Sequence, residues 1–478
     1  MESIALFTLL FPFIGAISII FMPGQARRIG QIVSALASLG TLALAYSFFR
    51  HGAEPVHYTL LSAGQVELFG FTIDKVSTLI AVAVVCLGFL VCQYSLGYMT
   101  DGNREHPQDG KPRYYAFLLV FIGAMAGLVL SSTVLGQLLF FEITGGCSWS
   151  LIGYYQKPES FRAALKALVV THLASLGLFI AAGFLFHGTG SFAVSALAQL
   201  DDSTKTIVML GVLLAAWGKS AQWPLHVWLP DAMNAPTPVS AYLHAASMVK
   251  VGVYIFARAV WSAGHIPEIV GMVGVISAII TMVFGFVMYL PQKDMKRLLA
   301  YSTITQLAYI FLALSMAALG SRLAFESGIT YIFNHAFAKS LFFLVAGSLS
   351  YTCGTRMLPQ LKGIIKAQPL LGVGFCVAAL AITGVPPFNG FFSKFPLFAS
   401  GFALSAEHSW LMPILVIALI ESVMSFGWIL YWFGKAVVGE PSEACASSQP
   451  LPASMKSVLI VLTIMSLFSS VIAAAWLS

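Results

Sequence analysis

The sequence is 478 residues long, and its composition excludes an ordinary soluble domain. Hydrophobic residues make up 58% of the chain and charged residues only 9%, with a mean hydropathy of +0.87, whereas a soluble domain carries roughly 25% charged residues. The formal net charge is +6. We therefore expect a polytopic membrane protein that lies in the lipid bilayer, has no separate soluble domain and does not bind nucleic acid.

Apolar stretches long enough to cross a membrane recur along the whole chain. About 20 residues cover ~30 Å of hydrocarbon at a rise of 1.5 Å per residue, and about fourteen such stretches occur. They lie near residues 3–22, 29–49, 76–99, 114–131, 133–155, 161–187, 206–230, 237–260, 267–290, 296–318, 324–351, 369–402, 409–434 and 456–477. The predicted fold class is an all-α polytopic membrane protein with about 14 transmembrane helices in a single integral membrane domain.

The distribution of Lys and Arg predicts the orientation of these helices. Of the 25 basic residues, 16 fall in the odd-numbered predicted loops and 5 in the even-numbered ones. Cytoplasmic loops carry the excess of Lys and Arg, so we expect the odd loops in the cytoplasm and both termini on the periplasmic side. The four basic residues that belong to no loop are Lys219, Lys250, Lys339 and Lys394.

These four lysines lie well inside predicted spans, where a charged lysine costs about 2.5–3.5 kcal/mol on insertion scales. A lysine near a headgroup can instead snorkel to water, an alternative that applies best to Lys250. Burial and a neighbouring carboxylate shift the pKa of a lysine in opposite directions, so a buried lysine can exchange protons near neutral pH. The four lysines are therefore candidates for a proton path.

Two carboxylates are also predicted inside spans. Glu142 lies in "LLFFEITGG" and Glu421 in "IALIESVMS". An unpaired ionised carboxylate in lipid is very costly, so each is expected to be protonated, paired or open to water. We predict that Glu142 pairs with one of the buried lysines.

Three histidines in predicted spans are further candidates, although a helix histidine is more often a packing residue than a proton carrier. His335 precedes Lys339 by four positions, which places both on one helix face about 6 Å apart. His244 lies in "AYLHAASMVK", before Lys250. His172 has no such partner in sequence, so packing is the favoured interpretation there.

The six cysteines give no sign of a metal or a cofactor. They are scattered, and none forms a C-x-x-C pair. Metal and cluster sites need closely spaced thiolate or imidazole ligands. We therefore expect no cofactor, no metal and no catalytic residues of an enzyme in this chain.

Two of the predicted spans are interrupted by proline. Pro224 follows Lys219, while Pro386 and Pro387 precede Lys394. Broken helices in corresponding places of two halves are typical of transporters built from inverted repeats, so we predict two inverted five-helix repeats with broken seventh and twelfth helices. The predicted division is 1–112 for the N-terminal helices, 113–260 and 267–437 for the two repeats, and 455–477 for the C-terminal helix.

Three stretches carry a resemblance to a known family. They are "GKSAQWPLHVWLPDAMNAPTPVSAYLHAASMVKVGVYIFAR", "FNHAFAKSLFFLVAG" and "GVPPFNGFFSK". They resemble the proton-translocating subunits shared by respiratory complex I, the multi-subunit sodium/proton antiporters and the membrane-bound hydrogenases. Two further stretches, "NREHPQDGKPRYYAFLLVFIGAMAGLVLSS" and "FFEITGGCSWSLIGYYQ", closely resemble the hydrogenase members.

The resemblance implies a series of titratable residues across the membrane midplane. In the family, a glutamate on the fifth span pairs with a lysine on the broken seventh, positions that match Glu142 and Lys219. A line of Lys and His residues then leads to the broken twelfth span. The matching positions are His244, Lys250, His335, Lys339 and Lys394. The glutamate follows Phe141 here, whereas a tryptophan precedes it in many relatives.

The resemblance also implies partners. The hydrogenase members work with other membrane subunits and, through them, with a soluble nickel–iron and iron–sulfur arm that carries out the redox chemistry, as in formate hydrogenlyase complexes. Two alternatives remain open from the sequence: a sodium/proton antiporter component without a redox partner, and a structural membrane spacer. The four intramembrane lysines argue against the spacer.

Overall fold

The computed structural model describes residues 1–108 and 110–478, most of them helical. The α-helices are α1 (Glu2–Phe21), α2 (Ala26–Arg50), α3 (Lys75–Tyr98), α4 (Pro112–Leu130), α5 (Val134–Ile152), α6 (Pro158–Thr189), α7 (Asp202–Lys219), α8 (Thr237–Ala245), α9 (Met248–Ser262), α10 (Glu268–Tyr289), α11 (Met295–Ala318), α12 (Arg322–Cys353), α13 (Ile364–Ala367), α14 (Pro369–Thr383), α15 (Phe391–Leu404), α16 (Leu411–Trp432), α17 (Glu443–Ala446) and α18 (Ala453–Leu477). Within the described residues, 11 helical segments are long and apolar enough to cross a membrane.

These helices confirm the predicted fold class of a polytopic helical membrane protein. Added to the 11 long apolar segments, α5, α7 and the α14–α15 pair complete the predicted set of about fourteen spans. The fourth span of five is broken both in 112–262 and in 268–437, so the two predicted breaks lie in corresponding places. The exact division of the chain into repeats stays a prediction.

A β-hairpin between α2 and α3 was not predicted. Strands β1 (Val56–Ala63) and β2 (Val66–Ile73) pair antiparallel. The hairpin packs on the start of α5 through Ser132 Oγ, which donates to Glu67 Oε1 at 2.7 Å. Strands of eight residues are too short to register in a hydropathy window of about 20, which is why long apolar stretches do not reveal them.

The break after α7 has its freed backbone groups satisfied by neighbouring side chains. Helix α7 ends at Lys219, and two short 3₁₀ turns, Leu225–Trp228 and Asp231–Asn234, lead to α8. Trp228 Nε1 donates to the carbonyl of Gly218 at 2.9 Å. The predicted break at Pro224 is therefore present, but no second α-helical half follows it in this span. Non-helical backbone at membrane depth is tolerated when it is buried in protein in this way.

The break between α14 and α15 is held by a reciprocal pair of asparagines. Asn334 Nδ2 donates to the carbonyl of Asn389, and Asn389 Nδ2 donates to that of Asn334, both at 3.0 Å. Pro386 and Pro387 lie in this break, between Thr383 and Phe391. A further interruption at Ala246–Ser247, between α8 and α9, has no proline and was not predicted.

Charged loop residues on the odd-loop side form a compact cluster. Arg356 bridges Glu105 Oε1 and Asp294 Oδ2, each at 2.9 Å. His106 Nε2 lies 3.7 Å from the same Glu105 oxygen. Burial, followed by the positive charges of Arg356, Lys296 and nearby Lys157, lowers the pKa of His106 from 6.5 to about 4. The folded state therefore holds His106 neutral near pH 5, whereas the unfolded chain takes up a proton there.

We predict that His106→Gln reduces the loss of stability on acidification from pH 7 to pH 5. The contribution of His106 is fully present above about pH 6.5 and falls as the pH approaches 4, because only the unfolded state binds the proton. The partly exposed imidazole is screened by solvent, so the difference at pH 5 is about 1 kcal/mol. Thermal unfolding in detergent at both pH values measures it, and an equal loss in both proteins would contradict the prediction.

Candidate functional site

All four lysines that the sequence places inside spans are buried. The exposed fractions are 1% for Lys219, 1% for Lys250, 0% for Lys339 and 4% for Lys394. A snorkelling lysine keeps its ammonium group in water, which these values exclude. Each ammonium group must therefore find polar partners inside the bundle.

Lys219 lies at the C-terminal end of α7 and reaches across to α5. Its Nζ donates to the carbonyl of Phe141 at 2.9 Å and to Thr144 Oγ1 at 3.1 Å, and it lies 4.5 Å from the centre of the Phe141 ring. A cation over an aromatic face is stabilised electrostatically, the more so away from water. The contacts of the Lys219 ammonium group are thus a carbonyl, a hydroxyl and an aromatic ring, and none of these three is a carboxylate.

Glu142 contacts His172 instead of a lysine. Oε2 of Glu142 lies 2.9 Å from Nδ1 of His172 on α6, while the Lys219 ammonium binds the Phe141 carbonyl one residue away. The predicted direct contact between Glu142 and a buried lysine is therefore wrong for this structure, although the Glu142 charge still acts on Lys219 through space. Glu142 and His172 are 31% and 58% exposed, so this pair faces the outside of the bundle.

We predict that His172→Ala slows proton transfer moderately. Without the imidazole, Glu142 loses this partner and its charge acts more strongly on Lys219, which would then hold its proton more tightly. A half-exposed pair is worth at most about 1 kcal/mol, so the rate should fall by up to about fivefold. Initial rates of proton uptake in proteoliposomes test this, with His187→Ala in the last turn of the same helix as the control. An unchanged rate in His172→Ala would exclude the role.

Between the two breaks, buried lysines and histidines lie side by side. Lys250 Nζ on α9 is 2.8 Å from His335 Nδ1 on α12, and Lys339 Nζ donates to Ser302 Oγ on α11 at 2.9 Å. His244 on α8 stacks on Phe343 with ring centres 5.1 Å apart. Neither nitrogen of His244 has a hydrogen-bond partner among the described residues.

Lys394 lies in the first turn of α15, directly after the second break. Its Nζ donates to Ser422 Oγ at 2.9 Å and approaches the carbonyl of Thr383 at 3.4 Å. It also lies 4.5 Å from the centre of the Tyr309 ring. Lys219 and Lys394 therefore have the same kind of environment: a helix break, a hydroxyl, a backbone carbonyl and an aromatic face.

Three further basic side chains are buried, although the charge distribution assigns them to loops. Lys205 and Arg258 are 3% and 5% exposed, and Lys296 is 1% exposed. Lys296 Nζ donates to the carbonyls of Met233 and Ala235, in the segment that follows the first break. The local sequence does not predict the burial of Lys296, because the stretch "PQKDMKRLLAYS" around it has the composition of an exposed turn.

Over residues 1–108 and 110–478, no group of three or more His, Cys, Asp or Glu side chains is close enough to hold a metal ion. The cluster of groups that the structure brings together is instead a series of Lys, His, Glu and hydroxyl side chains, which is the chemistry of proton exchange.

Comparisons with known proteins agree with this chemistry. The family model described as NADH:quinone oxidoreductase/Mrp antiporter, TM matches residues 131–425, and the one described as NADH-Ubiquinone oxidoreductase (complex I), chain 5 N-terminus matches residues 62–115. NADH-quinone oxidoreductase subunit L is 32% identical in Campylobacter jejuni and 34% in Escherichia coli, each alignment covering 91% of this chain and 71% of the relative. A probable K(+)/H(+) antiporter component of Rhizobium meliloti is 36% identical over 82% of this chain and 39% of its own length.

Two solved structures have a similar fold. A chain of the Mrp complex from Dietzia sp. DQ12-45-1b superposes with a TM-score of 0.86 at 28% identity, over 98% of this chain and 51% of that one. A chain of the membrane-bound sulfane sulfur reductase, an archaeal respiratory membrane complex, gives a TM-score of 0.84 at 23% identity, over 99% and 95% of the two chains. This chain thus spans about half the length of the Mrp chain that it matches.

Proposed function

Because the chain belongs to the NADH:quinone oxidoreductase/Mrp antiporter family of transmembrane subunits, we propose that it translocates protons across the membrane. The observation that carries this proposal is the series of buried titratable groups between two helix breaks. It runs from Lys219 through Lys250, His335 and Lys339 to Lys394. The partly exposed Glu142 lies at its Lys219 end, next to the Phe141 carbonyl that Lys219 binds. Four lysines buried inside membrane spans would be a costly way to build a spacer.

The proposed mechanism is electrostatic. A change of charge near Glu142, caused by a neighbouring membrane protein of the complex, alters how tightly Lys219 holds its proton. One unit charge at close range in a medium of low dielectric is worth several kcal/mol, which suffices to move a proton between neighbouring groups. Lys250, His335 and Lys339 receive the proton in turn, and water bridges the gaps that exceed a hydrogen bond. Lys394 then receives it at the second break.

We further propose that the chain is component D of hydrogenase-4 or a closely similar part of an energy-converting, formate hydrogenlyase-type hydrogenase. The stretches "FFEITGGCSWSLIGYYQ" and "NREHPQDGKPRYYAFLLVFIGAMAGLVLSS" support this assignment by resemblance. The partners would be other membrane subunits and a soluble nickel–iron and iron–sulfur arm, with all redox centres in those partners. The location would be a bacterial inner membrane, with both termini on the periplasmic side, as the Lys and Arg distribution predicts.

A second candidate function is that of a cation/proton antiporter component without a redox partner. The 36% identity to a probable K(+)/H(+) antiporter component favours it, and so does the similarity to the Mrp chain. In this case the same lysine and histidine series would carry protons against an alkali cation instead of coupling them to electron transfer.

The two functions are separated by purification and transport. The tagged full chain is isolated from native membranes in mild detergent, its partner subunits are identified, and the complex is reconstituted. We expect a nickel–iron hydrogenase among the partners and proton translocation driven by redox turnover. Sodium- or potassium-driven proton flux with no hydrogenase present would select the antiporter, and no proton movement in either assay would reject both.

A further inference from the structure

A buried carboxyl group near Lys394 forms a second acid–lysine site. Glu421 on α16 is 4% exposed. Its Oε2 lies 2.5 Å from the hydroxyl of Tyr309, and the hydroxyl of Ser425 bonds to Oε1. The Lys394 ammonium lies 4.5 Å from the centre of the same Tyr309 ring. Tyr309 therefore lies between the two groups. Lys394 contacts the face of the Tyr309 ring, and Glu421 bonds to the Tyr309 hydroxyl.

The hydrogen bonds of Tyr309 fit both protonation states of Glu421. The Tyr309 hydroxyl lies 2.7 Å from the carbonyl of Ala418 as well as 2.5 Å from Glu421, and it has a single proton to donate. When Glu421 is ionised, Tyr309 donates to the carboxylate, a contact of the length seen for hydroxyl–carboxylate bonds. When Glu421 is protonated, its O–H donates to Tyr309 while Tyr309 donates to Ala418. No heavy atom has to move between the two states.

A chain of hydroxyls connects Glu421 to the end of the membrane domain. Tyr289 donates to Ser425, which in turn donates to Glu421. Tyr289 is the last residue of α10, and the loop at residues 290–294, on the predicted cytoplasmic side, follows it. Tyr289 is only 1% exposed, so the relay needs water to bridge from its hydroxyl to that side. Each hydroxyl can accept one proton while it donates another. One proton can therefore move along the chain, and each hydroxyl is neutral before and after the transfer.

The alternative is that Glu421 only anchors α16 to α11. A glutamine would serve an anchor equally well, because its oxygen can accept from Ser425 while its NH2 group donates to Tyr309, which then donates to the Ala418 carbonyl. An anchoring role for Glu421 does not explain why Lys394 lies beside the ring of Tyr309. Lys394 already has a hydroxyl and a carbonyl partner of its own, so Glu421 is not needed to hold it. A carboxyl group that can be held in two protonation states next to a buried lysine has the properties of a proton carrier.

We propose that Glu421 is a proton-carrying partner of Lys394, that Tyr309 positions it, and that Ser425 and Tyr289 relay protons between Glu421 and the odd-loop side. This inference rests on the proposed proton translocation and deepens it. When Lys394 releases its proton to water at the second break, Glu421 gains one from Ser425, Ser425 gains one from Tyr289, and Tyr289 gains one from a hydronium ion that reaches it from the odd-loop side. One proton enters and no other species is consumed.

The test combines transport with infrared difference spectroscopy on the reconstituted complex. Glu421→Gln should lower proton translocation at least tenfold and remove a carboxyl C=O band that appears during turnover. Tyr289→Phe and Tyr309→Phe keep the rings and should each lower translocation severalfold. The matched controls are Glu326→Gln, an exposed acid on α12 paired with Arg322, and Tyr301→Phe on the same helix as Tyr309. Neither control should change the transport or the band.

The outcomes separate this inference from the proposed function. Wild-type translocation in Glu421→Gln, or a turnover band that persists in it, would overturn the role of Glu421 and leave translocation intact. If the wild-type complex moves no protons, the proposed function fails. The Glu421 band can still be compared between the wild type and Lys394→Met in pH-induced infrared difference spectra, which need no transport. A changed band then supports the acid–lysine couple, and an unchanged one rejects it.

Discussion

Replacing Lys219 with methionine is expected to abolish proton translocation in the reconstituted complex without preventing its assembly. Methionine fills nearly the same volume but has no proton to exchange and no charge to place over the Phe141 ring. Proton transfer by a positioned side chain contributes on the order of a hundredfold or more to rate, so the remaining flux should fall below detection. The measurement is acidification of the vesicle lumen, together with quantification of the tagged complex after purification.

A second lysine of the same helix is the matched control. Lys205 is also buried and donates to two carbonyls, those of Ala263 and His265. It lies 14 positions, or roughly 21 Å, from Lys219 along α7. Lys205→Met removes the same ammonium group from the same helix but should leave translocation close to the wild-type rate. Equal losses in both variants would show that any buried lysine of α7 serves the fold and would remove Lys219 from the path.

The membrane-spanning elements could be predicted because lipid imposes simple rules on sequence. The span lengths follow from the apolar stretches, and the interruptions at Pro224 and at Pro386–Pro387 follow from the chemistry of proline. The burial of Lys219 and Lys394 follows from the basic residues that belong to no loop. Each rule applies to one segment at a time. The split between α4 and α5 at residues 131–133 follows from length alone and is present in the structure.

Contacts between segments could not be predicted in the same way. The partner of Glu142 depends on how α5 and α6 are rotated about their axes, and no local pattern specifies rotation when every face is apolar. The sequence therefore favours packing for His172 and a lysine partner for Glu142, and the structure pairs the two residues with each other. Tyr309, which donates to Glu421, and Tyr289, which donates to Ser425, escape prediction for a similar reason, because both come from helices far away in sequence.

The positions of these helices are fixed by small residues at their contacts. The backbones of α6 and α7 meet at Gly177 and Gly211, where a Cβ on Gly177 would lie 2.3 Å from the Gly211 carbonyl oxygen. Ala174 on α6 likewise faces Gly218, the neighbour of Lys219. Close approach of small residues is the usual way in which membrane helices pack. The distance between α6 and the Lys219 end of α7 is thus set by small-residue packing.

Gly177→Ala is therefore expected to destabilise the chain and to impair proton translocation together. The added methyl group meets a backbone oxygen, so α6 must shift away from α7, and overpacking of this kind costs about 1–3 kcal/mol. The shift also moves His172, which lies on α6, relative to Lys219 and Glu142. Gly183→Ala is the control on the same helix, because a Cβ there has nothing within 4 Å. Thermal unfolding and translocation should both fall in Gly177→Ala and stay unchanged in Gly183→Ala. A stable, fully active Gly177→Ala protein would show that α6 need not lie this close to α7 for protons to move.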